Sequence, residues 1–332
     1  MRTLLKLLAL LLALALAAGA GAWWWTQQPL PLAADALEIS VPEGASLRTA
    51  AQRAVDGGVQ TPAALLAGYF RLAARGQTIK PGDYALTRGM TAAELLGKLV
   101  RGERIVLTVK LLEGWTFRQL RQALAQAPRL RHDTQDMTPA QIMQALGRPG
   151  VAAEGRFFPD TFHYFRNASE LDILRQSMQL MEQRLQAAWD ARAPDLPLKS
   201  ADEALVLASI VEKETGRAQD RAEIAGVFIN RLRIGMRLQT DPSVIYGLGE
   251  GFDGDLKRSH LSADTPYNTY TRAGLPPTPI AMPGKAALLA AVQPAATQAL
   301  YFVARGDGSS HFSRTLDEHN RAVQRYQRGG SR

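Results

Sequence analysis

The chain has 332 residues, of which 46% are hydrophobic and 21% are charged, a composition that excludes wholesale disorder. It contains no cysteine, which excludes disulfides, thiol nucleophiles and thiolate metal sites. The net charge of +8 favours an anionic partner or surface, but Lys and Arg are spread along the chain without a block of five, so a nucleic-acid-binding arm is not expected.

The N-terminal segment has the pattern of a membrane anchor. Arg2 and Lys6 lead into an apolar run over residues 7–25, which ends in three tryptophans and is long enough to cross a bilayer. Basic residues before the run place residues 1–6 in the cytoplasm and the rest of the chain outside it. Ala20-Gly21-Ala22 also resembles a signal-peptidase site, so a cleaved signal peptide is the alternative.

A predicted linker, residues 26–36, precedes a recurring unit of strand, glycine turn, Ser or Thr cap, and helix. The predicted caps are Ser46, Thr91 and Thr116, with helices that begin at Leu47, Ala92 and Phe117. Another amphipathic helix is predicted over residues 61–73. The resulting order of strand, two helices and strand is that of a glycan-binding LysM-like module, which we predict over residues 37–107, although any small α+β domain fits the same pattern.

Residues 205–216 are predicted to form a helix that ends in a carboxylate on its apolar side. Glu214 falls within a stripe of three apolar residues, which are Leu207, Ile210 and Val211. Glu212 points roughly the opposite way and is expected to be solvated. A capping box formed by Ser200 and Glu203 predicts the start of the helix.

Burial and the negative end of the helix dipole both disfavour the ionised form of Glu214, so its pKa is expected to be raised. A carboxylic acid that keeps its proton near neutral pH suits a general acid. The position also fits a glutamate that reaches solvent at a frayed helix end or pairs with an arginine.

The other polar residues favour a carbohydrate site. The five histidines lack the spacing of metal ligands, and the GxSxG, Walker A, GxGxxG and HExxH motifs do not occur. What remains is carboxylates, Gln, Asn, Tyr and Thr. A hydrolysing glycosidase generally needs two carboxylates across the scissile bond. The candidates for a second one, each of which also fits a turn or a cap, are Asp241, Asp264, Glu154 and Asp160.

Four separated motifs resemble the endolytic murein transglycosylase (YceG-like) family. They are Ala208-Ser-Ile-Val-Glu-Lys-Glu-Thr215, Val227-Phe-Ile-Asn-Arg-Leu232, Leu238-Gln-Thr-Asp-Pro-Ser-Val-Ile-Tyr-Gly247, and Tyr267-Asn-Thr-Tyr270 with Gly274-Leu-Pro-Pro277. The resemblance implies an α+β fold with an N-terminal transmembrane helix, a LysM-like subdomain and a mixed α/β catalytic domain over residues 108–327, before a frayed tail at 328–332. It also implies that the catalytic residue is Glu214, the second glutamate of the Glu-Lys-Glu-Thr motif.

The resemblance further implies a lyase that cleaves the MurNAc–GlcNAc bond within nascent peptidoglycan and leaves a 1,6-anhydro end, without a cofactor or metal. Peptidoglycan strands and peptidoglycan synthases are the implied partners. The chain would cross the bacterial inner membrane once, with the catalytic domain in the periplasm. The residues expected to bind the sugar are Gln239, Thr240, Asp241, Tyr267, Asn268 and Tyr270. The alternatives are a non-catalytic peptidoglycan-binding or division scaffold and a lysozyme-like muramidase.

Overall fold

The computed structural model describes residues 2–328. The helices are α1 Arg2–Thr26, α2 Leu47–Asp56, α3 Ala63–Ala73, α4 Ala92–Arg101, α5 Phe117–Ala125, α6 Pro139–Ala145, α7 Glu170–Asp190, α8 Ala201–Glu214, α9 Ala218–Arg233, α10 Asp241–Leu248, α11 Arg258–Ser262, α12 Lys285–Val292 and α13 Leu316–Val323. The strands are β1 Ala36–Val41, β2 Gly82–Thr87, β3 Leu107–Lys110, β4 Thr161–Tyr164, β5 Tyr301–Ala304 and β6 Ser310–Ser313. The predicted frayed tail lies outside the described residues, apart from Arg328, which ends a π-helical turn.

The described chain divides into two compact units. Unit 1 runs to Leu107 and includes His163–Asn167, and unit 2 comprises Thr108–Phe162 and the chain from Ala168 onward. The strands pair as three separate two-stranded sheets, β1 with β2, β3 with β4, and β5 with β6. The chain is therefore of mixed α+β class, as predicted, with helices supplying most of its core.

Helix α1 is continuous and apolar. Its segment Lys6–Thr26 has a mean hydropathy of 2.0 and is long and apolar enough to cross a membrane, a test that a signal sequence also passes. The side chains of Trp23 and Trp24 are 68% and 63% exposed, whereas the ring of Trp25 packs edge-on against Tyr69 of α3. Trp25 thus connects the end of α1 to α3 in the rest of unit 1.

Part of the predicted linker is tied to the rest of unit 1, by one buried side chain and by backbone pairing. Leu30 is 5% exposed, and its amide donates to the carbonyl of Met90 at 2.7 Å. Isolated bridges join Pro29 to Thr91 and Leu32 to Val59. Burial of the apolar side chain of Leu30 offsets the chain entropy that a free linker would retain.

In unit 1, β1 and β2 pair antiparallel, with Leu37 opposite Leu86, and α2 packs against α3. The predicted helix starts are confirmed. The hydroxyls of Ser46 and Thr91, and of Thr116 in unit 2, each accept the amide three residues on. The predicted order of strand, two helices and strand is observed, and the likeness to LysM modules stays a prediction.

In unit 2, helix α8 is central and packs against α7, α9 and α12. Every residue from Ala204 to Val211 is buried, so the helix is covered on all sides and not along one stripe. The hydroxyl of Ser200 accepts the amide of Glu203, as predicted. The other half of the predicted box is wrong, because the carboxylate of Glu203 accepts the amide of Lys199.

Two further elements of unit 2 shape the region around α8. β5 and β6 form a hairpin, in which they pair antiparallel and Phe302 lies opposite Phe312. Helix α12 was not predicted, because its sequence is apolar at nearly every position and shows no periodicity. Its burial against α8 explains that composition.

Candidate active site

Glu214 is the last residue of α8, where Thr215 leaves the helix in an extended conformation. One carboxylate oxygen, Oε1, accepts a hydrogen bond from the hydroxyl of Thr240. Thr240 occupies the N-cap position of α10, but its hydroxyl does not cap that helix. This hydrogen bond links the end of α8 to the start of α10.

The pKa of Glu214 is raised from 4.5 to about 7, mainly because burial disfavours the charged form. The negative charge of Asp241 raises the pKa further, while the hydrogen bond from Thr240 and the positive charge of Arg231 lower it. The rise in the pKa of Glu214 and its main cause, burial, were expected from the sequence. The charges of Asp241 and Arg231 were not, because they come from segments distant in sequence.

Glu212 corrects the sequence prediction, because it is not solvated. Its side chain is only 7% exposed, and its Oε2 accepts the amide of Gly284 at 3.0 Å. Arg221 lies 3.7 Å from its Oε1. The prediction was wrong because it assumed that the side of α8 opposite the stripe faces solvent, whereas that side is covered too. Burial raises the pKa of this carboxyl as well.

The structure brings three of the predicted sugar-binding residues close to Glu214. Thr240 is 1% exposed and contacts the carboxyl directly. Asp241 is exposed and accepts a hydrogen bond from the phenol of Tyr270 at 2.5 Å. Gln239 is also exposed, with a backbone φ of 48°, and its backbone amide donates to the carbonyl of Thr269. Gln239, Asp241 and Tyr270 present polar groups at the surface beside the acid.

Asn268 holds the loop and does not present its amide to a ligand. It is fully buried, and its Nδ2 donates to the carbonyls of His260, Leu261 and Ala263. Its Oδ1 accepts the amide of Tyr270 at 2.9 Å. The geometry argues against the predicted contact with sugar, because the side-chain amide is already occupied by the backbone.

Two residues that the sequence analysis did not single out organise the site. The hydroxyl of Thr269 accepts the backbone amide of Thr240 at 3.0 Å and lies 2.9 Å from the hydroxyl of Ser243. Arg231, on α9, is 6% exposed, and its charge lowers the pKa of Glu214. Thr269 and Arg231 both lie within the quoted motifs. They were not singled out, because buried polar residues with a purely structural role are of the same types.

A cavity of about 870 Å³ lies in unit 2, and its lining includes Lys213 and Pro242, the chain neighbours of Glu214 and Asp241. Polar side chains share the wall with aromatic rings. Tyr246 and Tyr267 pack edge to face with ring centroids 4.9 Å apart. Rings beside hydrogen-bonding groups are the usual components of a carbohydrate site.

Glu154 lines the same cavity as a second buried glutamate. It is 8% exposed, its Oε1 accepts the amide of Phe117 at 2.9 Å, and its Oε2 accepts the phenol of Tyr246 at 3.2 Å. Burial raises its pKa from 4.5 to about 7 despite those hydrogen bonds. Both oxygens are committed to protein donors, which fits a residue that joins α5 to α10.

We expect Glu154→Ala to lower the free energy of unfolding by about 2 kcal/mol, because a buried amide and a buried phenol lose their acceptor. Glu154→Gln keeps the size and one acceptor oxygen, so its loss should be smaller. Thermal unfolding at pH 6 measures both variants. Equal melting temperatures for Glu154→Ala and wild type would contradict the role of Glu154 as a structural link.

Comparisons with known proteins agree with this architecture. The model of the YceG-like family matches residues 39–325. The chain is 37% identical over 173 residues to the endolytic murein transglycosylase of Bacillus subtilis, an alignment that covers 52% of this chain and 48% of that protein. It is 25% identical over 334 aligned positions to the enzyme of that name from Streptococcus pneumoniae, with 89% of this chain and 59% of that protein covered.

A crystal structure of a YceG-like protein from Listeria monocytogenes resembles the whole fold. It superposes with a TM-score of 0.56 at 28% identity and covers 86% of this chain and 98% of that one. The chain spans only about half to three-fifths of the length of the two named transglycosylases. The family match nevertheless extends over most of both units. This chain belongs to the YceG-like family.

Proposed function

We propose that the chain is a membrane-anchored endolytic murein transglycosylase in which Glu214 is the single catalytic acid and base. The observation that carries the proposal is the half-buried Glu214 at the end of α8, which accepts a hydrogen bond from Thr240 and whose pKa is raised to about 7 by burial. The names of the relatives from Bacillus subtilis and Streptococcus pneumoniae support the same substrate, murein.

In the proposed reaction, protonated Glu214 donates its proton to the glycosidic oxygen between MurNAc and GlcNAc as the bond from C1 to that oxygen breaks. The carboxylate then takes the proton of the MurNAc C6 hydroxyl, whose oxygen bonds to C1. A 1,6-anhydro ring and a free GlcNAc hydroxyl result, and the acid regains its proton. Because the nucleophile belongs to the substrate, proximity replaces a second protein carboxylate.

The neighbours of Glu214 can serve both halves of this cycle. Burial and Asp241 hold the proton on the acid before cleavage, while Thr240 stabilises the carboxylate that forms afterwards. Tyr270 fixes the orientation of Asp241 through its phenol. We assign Gln239, Asp241 and Tyr270 to contacts with the sugar, because their polar groups reach the surface beside the acid.

Thr240→Val should lower kcat about tenfold, since the carboxylate intermediate loses a hydrogen bond worth about 1.4 kcal/mol. The same loss should raise the pKa of Glu214, so the alkaline limb of the pH–rate profile should move to higher pH. Thr240→Ser keeps the hydroxyl and is the matched control. If Thr240→Val and Thr240→Ser gave the same profile, the hydroxyl would have no part in tuning the acid.

Glu154 is the observation that favours the second candidate, a muramidase with two carboxyls. It shares with Glu214 a pKa of about 7 and a place near the same cavity. Its two oxygens already accept hydrogen bonds from Phe117 and Tyr246, which leaves it poorly placed to activate water. Glu154→Gln should therefore keep cleavage activity if the transglycosylase proposal is right and lose it if Glu154 is the second acid.

The proposed location is the bacterial inner membrane, with α1 as a single-pass anchor and the chain after it in the periplasm. The supports are the length and hydropathy of Lys6–Thr26 and the basic residues ahead of it. An anchored enzyme would meet strands as they leave the membrane, so peptidoglycan synthases are the proposed partners.

One experiment separates the candidate functions. The full chain in detergent micelles is incubated with purified sacculi, and the released fragments are analysed by mass spectrometry. Fragments with anhydro ends are expected. Ends heavier by one water would indicate a muramidase, and binding without release of fragments would indicate a scaffold.

A further inference from the structure

The outer face of α3 is apolar and uncovered within the described chain. Leu65 and Leu72 are 48% and 81% exposed. With Tyr69 they occupy positions i, i+4 and i+7, which share one face of a helix. A Cβ built on Gly68, between them, would meet no atom within 4 Å. This set of residues is called the α3 face below.

The opposite face of α3 already supplies the core of unit 1. Leu66 and Phe70 are fully buried there. The helix is therefore apolar on two sides, and packing within unit 1 accounts for only one of them. Isolated exposed leucines are common on protein surfaces, but two that flank an aromatic residue on one helix face form a patch.

The contact between α1 and α3 indicates what lies against that patch. Tyr69, at the centre of the α3 face, packs against Trp25 with ring centroids 6.0 Å apart and an interplanar angle of 80°. Trp25 ends the membrane-spanning candidate, and its neighbours Trp23 and Trp24 are exposed. Tryptophans of this kind lie at the level of the lipid headgroups. The same level therefore contains Tyr69 and the leucines beside it.

The charges around the α3 face suit an anionic bilayer. Arg71 and Arg75 are both exposed, one on α3 and one just after its end. Helix α3 contains no acidic residue. An apolar face with basic residues at its edge is the usual composition of a helix that lies in the plane of a membrane interface.

We propose that the α3 face lies in the headgroup region of the same bilayer that α1 spans, so that unit 1 is held against the membrane and not suspended from it. The proposal rests on the membrane anchor suggested above and goes beyond it. The backbone contacts of Pro29, Leu30 and Leu32 agree with this arrangement, because they tie the chain just after α1 to the rest of unit 1.

The chain has no native cysteine, so a single substitution introduces a single thiol for labelling. The full chain carrying Leu72→Cys is labelled with nitrobenzoxadiazole and placed in nanodiscs of phosphatidylcholine and phosphatidylglycerol, without other proteins. Lipids that carry a spin label near the headgroup should quench the probe. Aqueous iodide should quench it about threefold less than at an exposed site away from the α3 face.

Glu43→Cys, in the exposed turn after β1, is the matched control site, and Leu65→Cys is a second site on the α3 face. Thermal unfolding checks that each labelled variant is folded, and Leu65→Cys replaces Leu72→Cys if the latter is not. Equal quenching by iodide at the α3 face and at Glu43→Cys would overturn the proposal and would leave a protein partner as the cover. Failure of the wild-type chain to enter nanodiscs would overturn both the anchor and the docked face, without bearing on glycan cleavage in detergent.

Discussion

Glu214→Gln should lower the rate of glycan cleavage by about 10³-fold or more, because the amide can neither donate the proton to the leaving oxygen nor accept the one from the attacking hydroxyl. The substitution keeps the shape of the side chain, and an oxygen remains to accept the hydrogen bond from Thr240. Binding of glycan should therefore persist. Release of anhydro fragments from sacculi measures the first effect, and sedimentation with sacculi measures the second.

The matched control is Glu182→Gln, since Glu182 is 44% exposed and pairs with Arg148 at the surface of unit 2. Its loss should leave cleavage and stability nearly unchanged. Glu212→Gln is unsuitable as a neutral control, because Glu212 is buried and bonded to Gly284. Cleavage by Glu214→Gln at a rate close to that of Glu182→Gln would refute the assignment of the acid.

The pKa of Glu214 also predicts how activity and stability depend on pH. Protonated Glu214 starts the reaction, so kcat/KM should fall as the pH rises through about 7. In the folded chain this carboxyl binds its proton more tightly than in the unfolded chain. Its favourable contribution to stability is therefore present below pH 4.5 and is lost as the pH rises to about 7.

In Glu214→Gln this loss should disappear, so the variant should melt at the same temperature as wild type or slightly higher at pH 8. Glu154 has a similar pKa and contributes to the same pH window. The double variant should therefore show the flattest dependence of melting temperature on pH. A wild-type melting temperature that rises between pH 5 and pH 7 relative to the double variant would contradict both pKa directions.

Local features of the fold could be predicted from the sequence, because their causes are local. Ser46, Thr91 and Thr116 cap their helices because a short hydroxyl side chain can accept the amide three residues on. β5 and β6 are joined by a turn that contains Gly306 and Gly308, residues that favour such turns. None of these features depends on which element packs against which.

The surroundings of the site could not be predicted in the same way. Helix α8 looks amphipathic when only its largest side chains are considered, but it is covered on every side. Glu212 was predicted to be solvated for that reason. The side-chain amide of Asn268 is the same group that other asparagines use to bind sugars, so the residue type does not distinguish the two roles. Only the three carbonyls around its Nδ2 show that this one holds a loop.

Arg231→Met should lower the free energy of unfolding by about 3 kcal/mol, because two buried carbonyls lose a charged donor. The guanidinium is buried, its Nε donates to the carbonyl of Leu300 at 2.7 Å, and its Nη1 donates to that of Leu238 at 2.6 Å. It thereby joins α9 to the segment before β5 and to the loop that leads to Thr240. About 3 kcal/mol corresponds to a fall in melting temperature of about 9 °C for a unit of this size.

Arg231→Met should also change the pKa of Glu214. The charge of Arg231 lowers the pKa of Glu214, so its removal should raise that pKa and move the alkaline limb of the rate profile upward. Arg233→Met, on the same helix but exposed, is the control; it should change stability by no more than about 0.5 kcal/mol and leave the rate profile in place. Arg231→Lys keeps the charge but cannot reach both carbonyls with a fixed fork, so it should keep the profile and lose part of the stability. If Arg231→Lys and Arg231→Met shifted the rate profile equally, the effect on Glu214 would be one of loop position and not of charge.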